Sequence, residues 1–310
     1  MFTRYEYKAG STAANVVADV VKLLTGTTDK TLLSADCVQA PTIIINDGVA
    51  RPAGWTEWDA AAGTNARGIR APNFDGSTYK YVVVAHNNST IMNFKLYESW
   101  NATAHTGTNL AYYSDLASAN YGSTVNLALG GALFISSSAR SIVFFGFVNG
   151  LYDSPQIVAE HSRDEIWDTP ANNYPPTVFI TGSSLTAGSG YYPYKPRIRN
   201  YPGNDAISSN ASVMPISAYG GVTVTSQPIS PTTKVRDAAN NPVHAFVPVS
   251  LMSNGTTGVY ISREPQTHGK VFDIFLTTQS YGTTGDEVSF NGNVYFIAAS
   301  GTVRIAVPKF

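Results

Sequence analysis

The densest gathering of groups able to move a proton is Glu160-His161-Ser162-Arg163-Asp164-Glu165, with Asp168 close behind. Carboxylates beside an imidazole are what general acid–base catalysis requires. The spacing argues against it. Along a strand covering 156–161, alternation sends Glu160 and His161 to opposite faces, and Arg163 is better placed to pair with Asp164, Glu165 or Asp168. The expectation is a structural corner of charge pairs and turns, because such networks also perturb acidities without doing chemistry.

Other chemistries lack their parts. No Gly-x-Ser-x-Gly elbow presents a nucleophile, so Gly182-Ser183-Ser184 and Gly188-Ser189-Gly190 read as loop punctuation. His86, His105, His161, His244 and His268 are scattered, with no helical i, i+4 pair, and a metal site would have to be assembled by the fold. No phosphate-cradling Gly-Lys-Ser/Thr loop or dinucleotide fingerprint occurs. Cys37 stands alone, which excludes an intrachain disulfide, and it follows an apolar stretch that reads as packing. No catalytic residue, cofactor or metal is expected, and the chain reads as non-enzymatic.

The most unusual segment is Tyr191-Tyr192-Pro193-Tyr194-Lys195-Pro196-Arg197-Ile198-Arg199-Asn200-Tyr201-Pro202. Tyrosines stack and offer a hydroxyl, arginines make forked hydrogen bonds, and prolines lower the entropy lost on ordering. Tyr191, Tyr192, Tyr194, Arg197, Arg199 and Tyr201 are therefore the candidate interface residues, in keeping with the enrichment of Tyr and Arg at protein contacts. A stiff loop laid over its own domain is the plainer alternative.

Composition supports assembly over solution chemistry. Only 13% of the 310 residues are charged, about half the usual ~25%, and the net charge is -1. That leaves no electrostatic footprint for nucleic acid or anionic lipid. The longest apolar run, Ile142 to Val148, falls short of the ~20 residues of a membrane helix. The first residues lack a secretory signal, so the expectation is a soluble protein made in the cytoplasm. Five Asn-x-Ser/Thr sequons, at Asn87, Asn88, Asn101, Asn210 and Asn254, then read as chance in an Asn- and Thr-rich chain.

The elements that must position these residues are mostly strands. One helix is clear: Thr12 can cap a run whose apolar positions 13, 16, 17, 20, 21 and 24 form a stripe, with Gly26 placed to end it. Residues 29–36 suggest a shorter helical piece. Residues 79–85 and 90–97 form a hairpin pattern about His86-Asn87-Asn88-Ser89, and 132–136 pairs with 141–147 as strands apolar on both faces. Gly and Pro interrupt 181–204. Beyond it, short strands at 243–250, 258–262, 271–278, 287–290, 293–298 and 302–307 are expected, with Asn291-Gly292 making a tight hairpin turn. The reading is a β-rich α+β chain: an N-terminal α+β layered domain (1–181) with an amphipathic helix, a Gly/Pro/Tyr-rich linker or arm (182–204), and a C-terminal small antiparallel β-sandwich or barrel (205–310).

Glu160 to Pro170 followed by Tyr174-Pro175-Pro176, the opening Arg4-Tyr5-Glu6-Tyr7-Lys8-Ala9-Gly10, and the end from Gly285-Asp286-Glu287-Val288-Ser289-Phe290-Asn291-Gly292 through Arg304-Ile305-Ala306-Val307-Pro308 are similar to virion structural proteins of tailed bacteriophages. The likeness touches both ends and the middle and leaves 182–260 uncovered. It implies a non-enzymatic part of the particle in the tail or baseplate, present in several copies, whose partners are other copies of itself and neighbouring virion proteins. It supplies no catalytic residues. A capsid or collar decoration protein is one alternative. Another is a receptor- or glycan-binding tail-tip module using Trp55, Trp58, Trp100 and the tyrosines of 191–201 against a host surface glycan, although core packing is the simpler role for Trp55 and Trp58. A polysaccharide-degrading enzyme with Asp164, Glu165 and Asp168 is the third class.

Overall fold

The computed structural model describes residues 1–27, 29–44, 54–73, 76–110, 123–153, 156–160, 177–182, 194–197, 211–215, 246–253, 266–277, 285–290, 292–300 and 303–309. Strands dominate. Among the described residues there is a single α-helix and three antiparallel sheets.

The helix forms where its periodicity predicts. Helix α1 (Ala13–Leu24) is capped by Thr12, whose hydroxyl accepts the Asn15 N–H, and Gly26 follows with φ of 98°. Burial is wider than one stripe. Asp19 and Leu23 are as buried as Val16, Val17, Val20, Val21 and Leu24, because residues 29–36 fold over the helix's other side. Asp19 accepts from Tyr5 Oη (2.9 Å), Ser34 N (2.8 Å) and Ser34 Oγ (2.6 Å), so its buried carboxylate is satisfied. A one-turn 3₁₀ helix at Lys30–Leu32 is the shorter helical piece.

The largest sheet has eight strands. It contains β1 (Phe2–Tyr7), β2 (Thr42–Ile44), β9 (Gly131–Ser137), β10 (Ser141–Val148), β11 (Leu151–Tyr152), β12 (Gln156–Glu160), β13 (Thr177–Gly182) and β14 (Tyr194–Arg197), in the order β14-β13-β12-β10-β9-β1-β2 with β11 beside β10. The β9–β10 pair is buried on both faces, as its continuous apolarity requires. On one face, Tyr5, Leu133, Ile135, Ile142, Phe144 and Val158 join the core formed with α1.

A second sheet is a meander of β3 (Thr56–Gly63), β4 (Ala66–Pro72), β5 (Tyr79–His86), β6 (Ile91–Asn101) and β7 (Thr106–Leu110), with β8 (Ser123–Thr124) paired to β6. The β5–β6 hairpin closes with Ala85 opposite Asn93 and His86 opposite Met92. Asn87 Oδ1 accepts the N–H groups of Ser89, Thr90 and Ile91, and Asn101 Oδ1 those of Thr103 and Ala104, so these two asparagines build turns. Ile69, Val82, Val84, Phe94 and Leu96 of this sheet complete the core against α1 and the large sheet.

The third sheet contains β15 (Ala211–Pro215), β16 (Phe246–Ser253), β17 (Gln266–Thr277), β18 (Glu287–Phe290), β19 (Asn293–Ser300) and β20 (Val303–Pro308), in the order β15-β16-β17-β20-β19-β18. The β18–β19 hairpin pairs Phe290 with Asn293, the tight connection that Asn291-Gly292 predicts; Asn291 itself and residues 258–262 lie outside the described residues. This sheet docks on the other face of the large one through rings. Phe296 lies 5.4 Å from Phe2, 5.4 Å from Phe134 and 5.3 Å from Phe145, centroid to centroid, with Tyr152 at 6.2 Å. Ser136 Oγ donates to Pro308 O at 2.7 Å, and Lys309 bonds Glu287 with its ammonium 5.7 Å from the Phe2 ring.

Candidate functional site

The expected interface segment is placed in part. Tyr194–Arg197 form the last strand of the large sheet, with Tyr194 opposite Gly182 and Arg197 opposite Phe179. Tyr191, Tyr192, Arg199 and Tyr201 lie outside the described residues.

Of the acidic cluster that opened the sequence reading, Glu160 is described; His161, Ser162, Arg163, Asp164, Glu165 and Asp168 lie outside. Glu160 is a strut. Its Oε1 receives Lys80 Nζ at 2.6 Å, and the two side chains are 1% and 2% exposed. Lys80 also donates to Pro72 O at 2.6 Å, and its ammonium lies 5.5 Å from the Trp55 ring, whose indole N–H is held by Ser138 O at 2.8 Å. Charges this far from water need such neighbours, and the pair ties β5 of the meander to β12 of the large sheet.

A second constellation, which the sequence reading missed, forms where the meander's first strand reaches its last hairpin. Asp59 of β3 is 5% exposed. Its Oδ2 accepts from Trp100 Nε1 at 2.8 Å and faces His105 Nδ1 at 2.8 Å, while Oδ1 accepts the Ala61 N–H at 2.9 Å. Burial alone would raise the Asp59 carboxyl, but these bonds outweigh it and hold the group below its usual range. An ionised carboxylate only accepts, so it fixes His105 with its proton on Nδ1. The imidazole is about half exposed, on a residue with φ of 54°. Gly107 leaves room for the Tyr97 ring, because a Cβ there would lie 2.0 Å from Tyr97 Cδ1. Trp100 meets that ring edge-on at 4.9 Å. The 41- and 46-residue separations of these partners explain why no local spacing revealed them.

Next to Asp59, a β-bulge at Trp58 interrupts the β3–β4 register. Trp55 is buried, in line with core packing, whereas Trp58 is 39% exposed. The Arg70 guanidinium carbon lies 3.4 Å from the centroid of the Trp58 ring and 4.5 Å from that of Tyr79, which is 43% exposed. Tyr81, opposite Arg70 on β5, adds a third ring 6.4 Å from Tyr79.

Among the described residues, Cys37 and His86 are engaged in packing and hydrogen bonds. Cys37 is buried and free, its thiol pushed up by burial and by the Asp19 charge, with Sγ 3.0 Å from Gln39 O. His86 is buried between Val125 O and the Asn88 N–H. Among the described residues no three His, Cys, Asp or Glu side chains gather as a metal site, and no helix is long and apolar enough to cross a membrane. No protein-family model matches the chain, and no curated protein matches it.

Proposed function

We propose that this protein is a non-enzymatic structural component of a tailed-phage virion, placed in the tail or baseplate and working through contacts between many copies. The finer organisation belongs to the same reading: an α+β unit over 1–181, an arm over 182–204 and a small C-terminal β-sandwich or barrel over 205–310. One observation carries it. Tyr194 to Arg197 of the Tyr/Pro/Arg segment form β14, the terminal strand of the largest sheet among the described residues, so two of the six candidate interface residues, Tyr194 and Arg197, lie at a ladder edge. Two further features are in keeping with a rigid block. The buried ionic pair Lys80–Glu160 clamps sheet to sheet, and the Phe296 ring cluster joins the third sheet to the first. The low charge density limits repulsion between identical neighbours in a ring.

Mass spectrometry of purified particles tests the reading, with the chain expected in multiple copies. Its absence from intact virions would defeat the proposal. Replacing Tyr192 and Arg197 together by Ala is expected to impair incorporation while leaving the thermal transition of the isolated protein in place. Normal incorporation would remove the segment from the contact.

A further inference from the structure

We infer that the Trp58–Arg70–Tyr79 surface of the meander sheet is a binding site for an acidic saccharide, a pyranose carrying a carboxylate. This goes beyond the assembly reading and does not depend on it. The argument starts from Arg70. Its neighbour Arg67 is engaged with Glu57 at 2.7 Å, yet among the described residues Arg70 has neither a carboxylate nor a hydrogen-bond acceptor. Among the described residues its guanidinium is held by ring faces alone, at 3.4 Å from Trp58 and 4.5 Å from Tyr79. A guanidinium carries five N–H donors in a planar fork and keeps its charge at every physiological pH. Clamped between rings, the fork is oriented before any ligand arrives, so binding a carboxylate through two parallel hydrogen bonds costs little further ordering. Charge complementarity therefore selects an anion.

The rings select a saccharide. Trp58 and Tyr79 are 39% and 43% exposed, so they present a platform and not the recessed anchor pocket of a protein hot spot. The C–H face of a pyranose can stack on such rings while its hydroxyls stay in water. Strand addition by a peptide is disfavoured here, because the bulge at Trp58 breaks the edge ladder such a partner would extend. Glu57, the acid beside the platform, is already paired with Arg67 and so does not compete for the Arg70 fork.

The test is calorimetric titration of the full chain at low salt with hexagalacturonate, sialyllactose and a hyaluronan hexasaccharide, beside neutral maltohexaose and a hexaglutamate peptide. Saturable binding of at least one acidic saccharide is expected, with the Trp58 indole N–H shifting in heteronuclear NMR spectra. Arg70→Lys keeps the charge but loses the fork, and Trp58→Ala loses the platform; each should weaken binding about tenfold or more, with the melting temperature unchanged. Arg67→Lys should bind as the parent does. No saturable binding of any of the acidic saccharides, equal binding of maltohexaose, or undiminished affinity in a folded Arg70→Lys protein overturns the inference. Hexaglutamate binding as tightly as the saccharides overturns it too, and assigns the surface to an acidic peptide.

Discussion

Lys80 Nζ lies 2.6 Å from Glu160 Oε1, and through this contact β5 of the meander is fastened to β12 of the large sheet. Removing one partner leaves the other charge buried without its counter-ion. Lys80→Met should therefore destabilise the protein by about 3–5 kcal/mol, whereas Lys80→Met with Glu160→Leu should recover most of the loss. Chemical denaturation of the single and double variants measures both. A double variant no more stable than Lys80→Met would show that the clamp is not electrostatic.

His86 should set a pH dependence near neutrality. Its Nε2–H donates to Val125 O at 2.9 Å and its Nδ1 accepts the Asn88 N–H at 3.0 Å, so the folded protein uses the neutral ring with both nitrogens engaged. Burial holds its pKa below the ordinary value, against a smaller opposing effect of the Val125 carbonyl. The unfolded chain then binds the proton first. Stability is complete above the unfolded value of about 6.5 and falls as pH drops from there through the folded pKa. Asp36 and Asp59, both held below their usual range, lose their contribution only at more acid pH, so the windows separate. Denaturation midpoints between pH 7.5 and pH 5 should decline in the parent and flatten in His86→Gln; the same slope in both would exclude His86 as the cause.

Phe296 should couple the third sheet to the rest. It is 4% exposed and meets rings from β1, β9 and β10 at once. Phe296→Ala is expected to cost about 3–5 kcal/mol, the range for deleting a buried aromatic side chain. Differential scanning calorimetry should also resolve the C-terminal strands as an earlier transition. A variant that melts in one step at the parent's temperature would show that the Ser136–Pro308 bond and the contact of the Lys309 ammonium with the Phe2 ring suffice to hold the sheets together.

The elements that local chemistry specifies were legible in the sequence. The 3.6-residue stripe from Ala13 to Leu24, the Thr12 cap and the hairpin of 79–85 with 90–97 each depend on residues a few positions apart, and the structure contains all three, although His86 joins the ladder opposite Met92 instead of the turn. The unbroken apolarity of 132–136 and 141–147 announced burial on both faces, because neither face carries enough polar groups to meet water. The candidate site was much less legible. Glu160 was expected in a structural corner of charge pairs with its local neighbours, and the fold pairs it with Lys80, eighty positions away. Asp19 sits in a helix at a position that reads as solvent-facing, yet Tyr5 and Ser34 reach it from separate segments.

Trp55 and Trp58 show where the division falls. They are the same residue type three positions apart, and in sequence both suit a core. One is buried over the Lys80–Glu160 pair and the other is exposed beside Arg70. By itself, the sequence determined a weakly charged, strand-dominated chain with an amphipathic helix near its start, because composition and short periodicities dictate which segments form and which stripe of each must leave water. The tertiary structure alone decided which faces meet, which charges become struts and which rings stay outside. Partners such as Lys80 and Glu160 or Asp59 and His105 lie tens of residues apart, and only the packing of whole sheets brings them within hydrogen-bond reach.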